Sequence, residues 1–185
     1  MQRTRTIGWR RIILEIIPLL VLVLSIIIDQ WSKAFFSNLW RENNGDIEVI
    51  KDFFYITYTV NTGAAFSFLA GKTWAQTFFK ILTCLALVMF SIFYVYAYKR
   101  KYTWLKYSLS LVIGGTIGNF IDRMLMNGVT DFLSFIFWGN PFAVFNVADS
   151  CLTVGVIMLI VHFLFLDESA IFRKKNAKEK LSDKR

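Results

Sequence analysis

The feature that most constrains this chain is a recurrence of apolar runs about as long as a bilayer is thick, bounded by clusters of arginine and lysine. A helix needs about 20 mostly apolar residues to cross a hydrocarbon layer of roughly 30 Å. Runs of that kind predict membrane-spanning helices at about residues 12–34, 74–98, 104–125 and 146–166. With 56% of its 185 residues hydrophobic, the chain is too apolar for an ordinary soluble domain, so a membrane protein is expected. The net charge of +8 invites a nucleic-acid partner, but the charge distribution argues against one. Of the 21 basic residues, 15 lie in three clusters: Arg3, Arg5, Arg10 and Arg11; Lys99, Arg100, Lys101 and Lys106; and Arg173, Lys174, Lys175, Lys178, Lys180, Lys184 and Arg185. Basic residues near span ends mark the cytoplasmic side. This places the N-terminal tail 1–11, the corner near residue 100 and the basic tail 167–185 inside, and segments 37–73 and 126–145 outside.

The expected fold class is therefore an all-α membrane protein, a single integral domain of four transmembrane helices, with a small extracytoplasmic β-sheet region between helices 1 and 2. The basic start before an apolar run has the look of a secretory signal, but no small-x-small cleavage site follows, so a retained first span is expected. Pro18 is placed to kink that span. If the helix continues past Ile28, Asp29 and Lys33 stand four apart on one face and can pair as a structural clamp. Beyond it, Asn43-Asn44-Gly45 is a turn signal, and residues 47–50 and 53–60 are rich in β-branched and aromatic residues, as two short strands would be. They lead into Asn61-Thr62-Gly63-Ala64-Ala65-Phe66, whose small residues allow a close backbone approach. On chemistry alone Asn61 serves equally well as a loop cap or as a group aimed at a substrate backbone. The two cysteines, Cys84 and Cys151, fall in predicted spans without CxxC spacing and are expected to be buried free thiols.

Three carboxylates stand out between residues 114 and 149: Asp122, Asp131 and Asp149. A charge at the bilayer centre costs about 2.5 to 3.5 kcal/mol on insertion scales, so each needs a partner or a task. Asp122 has a cation beside it in sequence, Arg123, and suits an ion pair; Asp131 and Asp149 have none and suit a catalytic pair. Asn119 shares a helix face with Asp122 and Arg123, and Asn146 shares one with Asp149, so a polar face emerges where each of these helices meets the outer surface. Gly114 and Gly118 carry the small-xxx-small spacing that lets helices approach closely in lipid. Nucleophile–histidine chemistry is excluded, because the one histidine, His162, lies 13 residues past Asp149, roughly 20 Å deeper along a helix. No HExxH or comparable spacing offers a metal site, and no cofactor is expected. Two aspartates held close can share a proton, one acting as base toward water and the other as acid toward a carbonyl. On composition alone, intramembrane carboxylates serve a proton- or ion-coupled transporter as readily as a hydrolase.

The motifs Asp29-Gln-Trp-Ser-Lys33, Asn61-Thr-Gly-Ala-Ala-Phe66, Gly114-Gly-Thr-Ile-Gly-Asn-Phe-Ile-Asp-Arg123, Val129-Thr-Asp-Phe132 and Phe145-Asn-Val-Ala-Asp149 together resemble, in order and spacing, those of the bacterial lipoprotein signal peptidase family, signal peptidase II. The resemblance covers about residues 29–155. It implies a four-helix membrane aspartyl peptidase that removes the signal peptide from diacylglyceryl-modified prolipoproteins, cutting before the lipidated cysteine. By the same resemblance Asp131 and Asp149 are catalytic. Asn61, Gly63, Asn119, Asp122, Arg123 and Asn146 would bind substrate or support the site, and Asp29 and Lys33 would support the fold. The implied partners are the prolipoproteins and membrane lipid, with no nucleic acid, for a monomer in the bacterial cytoplasmic membrane. Both termini would be cytoplasmic and the site extracytoplasmic.

Overall fold

A computed structural model describes residues 9–63, 69 and 71–166. Residues Ala64, Ala65 and Phe66 of the second motif, the N-terminal tail through residue 8 and the basic tail 167–185 lie outside the described residues. The order of elements is α1 (Trp9–Glu42), β1 (Ile47–Ile50), β2 (Phe54–Asn61), α2 (Ala75–Arg100), α3 (Thr103–Met126), β3 (Val129–Phe137), β4 (Asn140–Pro141) and α4 (Val147–Val161). The last turn after α4 widens to a π-helix over His162–Leu166, with His162 buried beside the ring of Tyr102.

Helix α1 does not stop near residue 34. Nothing breaks it before Asn43-Asn44-Gly45, so its 34 residues reach about 51 Å and outrun a bilayer core. The extra turns carry Phe36, which stacks on Phe132 at 4.9 Å, and Trp40, whose Nε1–H donates to Asp46 at 2.9 Å. These contacts fix the sheet to the end of α1.

That sheet is larger than the sequence suggests. It is four antiparallel strands in the order β1-β2-β3-β4, so it is built from both excursions between helices and not only from the one between α1 and α2. The run Val129–Phe137 is itself apolar, aromatic and β-branched, and it pairs with β2 through Thr59↔Asp131 and Asn61↔Val129. A register shift between Ile56 and Thr59 marks a bulge two residues from Asn61, a local kink in β2. The turn into β4 is the two-residue loop Trp138-Gly139, both at positive φ, the form that matches strand twist.

Among the described residues three helices are long and apolar enough to cross a membrane: Glu15–Glu42, Ala75–Arg100 and Val147–Leu166. Helix α3 fails on composition, and its position explains why. It packs against α1, α2 and α4, so Lys106, Ser108, Ser110 and Asp122 are buried by protein. Close approach is set by glycine: a Cβ on Gly118 would lie 2.5 Å from Asp29 Oδ2, and one on Gly115 would lie 2.5 Å from the Ala148 carbonyl. Lys106, in the first turn of α3, pairs with Glu15 of α1 at 2.6 Å. Both cysteines are free, but Cys84 is exposed on α2 and Cys151 half-buried. The expectation of buried thiols fails because lipid-facing positions are as apolar as the interior and accept a small hydrophobe equally.

Candidate active site

The site forms where α1 around Asp29–Lys33, the C-terminal end of α3 and the N-terminal end of α4 meet the end of β2 and the start of β3. Asn146 is the N-cap of α4 and Asp149 its third helical residue. The Asn146 Oδ1 accepts from the Asp149 N–H at 2.9 Å and the Asp149 carboxylate accepts from the Asn146 N–H, closing a reciprocal capping box. The same Asn146 donates through Nδ2 to Asp131 Oδ1 at 2.7 Å. One asparagine thus touches both aspartates, although they are 18 residues apart and on different elements.

Each aspartate has a second amide. Asn119 Nδ2 donates to Asp149 Oδ1 at 2.8 Å, and Asn61 Nδ2 donates to Asp131 Oδ2 at 3.3 Å. Asp131 is only 3% exposed. Burial, and next the charge of Asp149, push its carboxyl up to about 7, against the opposing pull of the Asn61 and Asn146 amides and of Lys33. A cavity of about 710 Å³ opens over the pair, lined by Asn61, Asn119, Arg123, Asp131 and Asp149 on its polar side and by Phe142, Phe145, Leu152 and Val154 among its apolar walls.

Beneath the pair lies a buried ionic cluster. Lys33 pairs with Asp29 at 2.8 Å and with Asp122 at 3.1 Å. The expected Asp29–Lys33 clamp is there, but the cation against Asp122 comes from α1; adjacency in a helix turns side chains apart, so Arg123 faces elsewhere. Asp29 Oδ1 also accepts the Ala148 N–H at 2.8 Å, satisfying one of the orphan donors in the first turn of α4. Asp122 Oδ2 accepts the Thr130 N–H at 3.0 Å, which fixes β3 one residue before Asp131. Lys33 donates to Asn119 Oδ1 at 3.0 Å and Asn146 Nδ2 donates to the same oxygen at 3.1 Å, so the Asn119 amide can only present its NH₂ to Asp149. Arg123 donates to the Gly63 carbonyl at 2.7 Å and sits 4.8 Å from the centre of the Phe79 ring.

All ten residues singled out from the sequence therefore fall in this one region. Two glutamines escaped. Gln30 Nε2 reaches Asp29, Asp122 and the Gly118 carbonyl at 3.0–3.1 Å, and Gln76 bridges Arg123 and the Thr62 carbonyl. Gln30 stands inside the Asp29–Lys33 motif, which is the one signal that pointed to it. Among the described residues no three His, Cys, Asp or Glu side chains are grouped as metal ligands.

Comparison with known proteins gives one result throughout. The profile of the family described as Signal peptidase (SPase) II matches residues 21–165. A lipoprotein signal peptidase from Pseudomonas putida is 38% identical over 166 residues, covering 87% of this chain and 90% of the relative. One from Bacillus velezensis is 40% identical over 146 residues, covering 79% and 92%. A solved bacterial membrane enzyme, determined by the in meso method at 2.3 Å resolution, superposes with a TM-score of 0.66 at 33% identity over 83% of this chain and 93% of its own.

Proposed function

This chain belongs to the signal peptidase II family, and on that premise we propose that it is an aspartic endopeptidase that removes signal peptides from diacylglyceryl-modified prolipoproteins, cutting immediately before the lipidated cysteine. The observation that carries the reading is the pairing of Asp131 and Asp149 through Asn146 at the wall of one cavity. In the reaction the pair starts with a single shared proton. The ionised carboxylate takes a proton from a water as its oxygen attacks the scissile carbonyl carbon. The protonated carboxyl gives its proton to the carbonyl oxygen, forming a tetrahedral diol. Collapse of the diol breaks the C–N bond, and the leaving amine takes the proton from the first carboxyl, while the second recovers its own. Burial and the charge of Asp149 raise the Asp131 carboxyl to about 7, so the pair retains a proton near neutral pH.

The proposed topology is four spans. Helix α3 has 24 residues, about 36 Å, which suffices for a crossing, and its Lys106, Ser108, Ser110 and Asp122 are buried within the protein. With the basic corner Lys99–Lys101 in the cytoplasm, the sheet and the dyad lie at the opposite, extracytoplasmic end and both termini are inside. The proposed form is a monomer. The apolar cavity wall of Phe142, Phe145, Leu152 and Val154 gives a lipid-bearing peptide a sideways approach from the bilayer. No cofactor or metal is invoked. Family membership does not favour the transporter considered from composition.

Purified protein in detergent, with no ion gradient, is expected to cut a diacylglyceryl-modified prolipoprotein just before its cysteine. Absence of cleavage together with proton flux in sealed vesicles would sink the reading. Cysteine-accessibility labelling near Asn44 and Gly139 is expected to report the outside; labelling from the cytoplasm would sink the topology.

A further inference from the structure

We infer that Gln76, in the first turn of α2, is a positioning residue for this reaction: together with Arg123 it fixes the Thr62-Gly63 turn from which Asn61 reaches Asp131. The inference rests on the peptidase reading. Gln76 Nε2 donates to the Thr62 carbonyl, and its Oε1 accepts from Arg123 Nη1 at 3.3 Å. Arg123 Nη2 in turn donates to the Gly63 carbonyl at 2.7 Å. Two consecutive carbonyls are thereby held by one linked pair of side chains, one from α2 and one from α3. The held turn presents the Gly63 N–H to Asn61 Oδ1 at 2.9 Å, and this leaves Asn61 Nδ2 to donate to Asp131.

The consequence is a choice of amide orientation. An asparagine amide has an acceptor end and a donor end, and only the donor end is compatible with an acceptor carboxylate. With Oδ1 occupied by the Gly63 N–H, the donor end faces Asp131. If the turn relaxes, that restraint is lost, and Asn61 can rotate or withdraw. Arg123 alone holds only the Gly63 carbonyl. Its guanidinium is itself braced by Gln76 on one side and by the Phe79 ring on the other, so removing Gln76 loosens both ends of the strap. Gln76 is half-buried at the surface of the first turn of α2 and forms no part of the core, so a loss of activity on its removal would not come from a collapsed fold.

The test is a double-mutant cycle on the full-length protein in detergent micelles, with the diacylglyceryl-modified prolipoprotein as substrate. Gln76→Ala is expected to lower kcat by on the order of 10- to 100-fold, the scale of a small misplacement of a catalytic group, with little change in KM or melting temperature. Asn61→Ala is expected to do the same, and the double variant to fall no further than Asn61→Ala alone. Additive losses, or wild-type turnover in Gln76→Ala, would overturn the inference. A second readout is independent of turnover. The charged groups that act on Asp131 are Asp149 on α4, Lys33 on α1 and Arg123 on α3, with Asp29 and Asp122 paired to Lys33 behind them, and all remain in these variants. Because the Asn61 amide holds the Asp131 carboxyl down, the pH midpoint of the Asp131-linked stability change is expected to move upward in Gln76→Ala and Asn61→Ala alike. A midpoint that moves in Asn61→Ala but stays in Gln76→Ala would overturn the inference. If the wild-type protein fails to cut the substrate, the peptidase reading fails, and the stability titration still decides whether Gln76 acts through Asn61.

Discussion

Replacing Asp131 by asparagine is expected to abolish cleavage and, at neutral to alkaline pH, to make the protein more stable. Burial and the neighbouring Asp149 raise this carboxyl from an ordinary 3.8 to about 7 in the folded protein. A raised folded value means that the folded chain binds a proton that the unfolded chain releases. The associated stability is present in full below about pH 4 and is lost as the pH rises through about 7. The interval is roughly 3 units, and at 1.36 kcal/mol per unit the wild-type protein loses about 4 kcal/mol across it. Asparagine does not titrate. It can still accept one amide hydrogen from Asn146 or Asn61, but its own NH₂ then faces a second donor, a constant offset that cancels when one variant is compared at two pH values. Melting of both proteins in the same detergent, followed by tryptophan fluorescence, is expected to show the melting temperature of Asp131→Asn gaining on wild type by about 10 °C between pH 4.5 and 8.5. In the wild type, kcat/KM is expected to fall above about pH 7 as the shared proton leaves. A melting-temperature difference independent of pH would mean that Asp131 ionises as an exposed aspartate does, and would refute the burial argument.

Three further outcomes follow from the same geometry. Lys33→Met leaves Asp29 and Asp122 buried without their cation, and thermal unfolding is expected to show about 3–5 kcal/mol of lost stability along with lost activity; an unchanged melt would show the ionic cluster to be dispensable. Asp122→Asn keeps an acceptor for the Thr130 N–H and is expected to lower stability or raise KM while retaining turnover, whereas Asp149→Asn is expected to be folded and inactive; a folded Asp122→Asn protein without turnover alongside an active Asp131→Asn protein would move the acid–base pair to Asp122 and Asp149. Gly118→Ala drives a methyl group against Asp29 Oδ2 and is expected to cost about 1–3 kcal/mol by overpacking, seen as a lower melting temperature; wild-type stability would show that α1 and α3 can part without loss.

Much of this was legible in the sequence because the site residues announce themselves as charges and amides in apolar surroundings. Asp131 and Asp149 stood out for lacking a charged neighbour, and the structure brings both to one asparagine. What failed was pairing at a distance. Adjacency in sequence matches Asp122 to Arg123, whereas its cation is Lys33, 89 residues away on another helix. Strand β3 carried a clear β pattern, but its partner β2 lies some 70 positions earlier, and no local signal encodes that register. The helix expected over 12–34 reaches only the length that a bilayer crossing needs, whereas a helix stops where its backbone is interrupted, here at Asn43-Asn44-Gly45. Gln30 and Gln76 were missed because a neutral amide in a half-buried place looks like any surface glutamine until its partners are known.

The choice of neighbours around the dyad follows from what the proposed reaction demands of them. Two carboxylates that exchange acid and base roles in each cycle need contacts that serve either protonation state. A lysine or arginine bonded directly to one of them would hold that one ionised and oppose the exchange. Here the side chains bonded to Asp131 and Asp149 are the neutral amides of Asn61, Asn119 and Asn146. The cations are kept one residue back: Lys33 reaches Asn119 Oδ1 and two other aspartates, Arg123 donates to the Gly63 carbonyl, and both charges fall on the dyad only through space. The cluster beneath therefore orients the amides without choosing which carboxylate carries the proton. It also lets the same polar atoms satisfy the first turn of α4 and the start of β3, so that the backbone groups left open there are paired by the site itself.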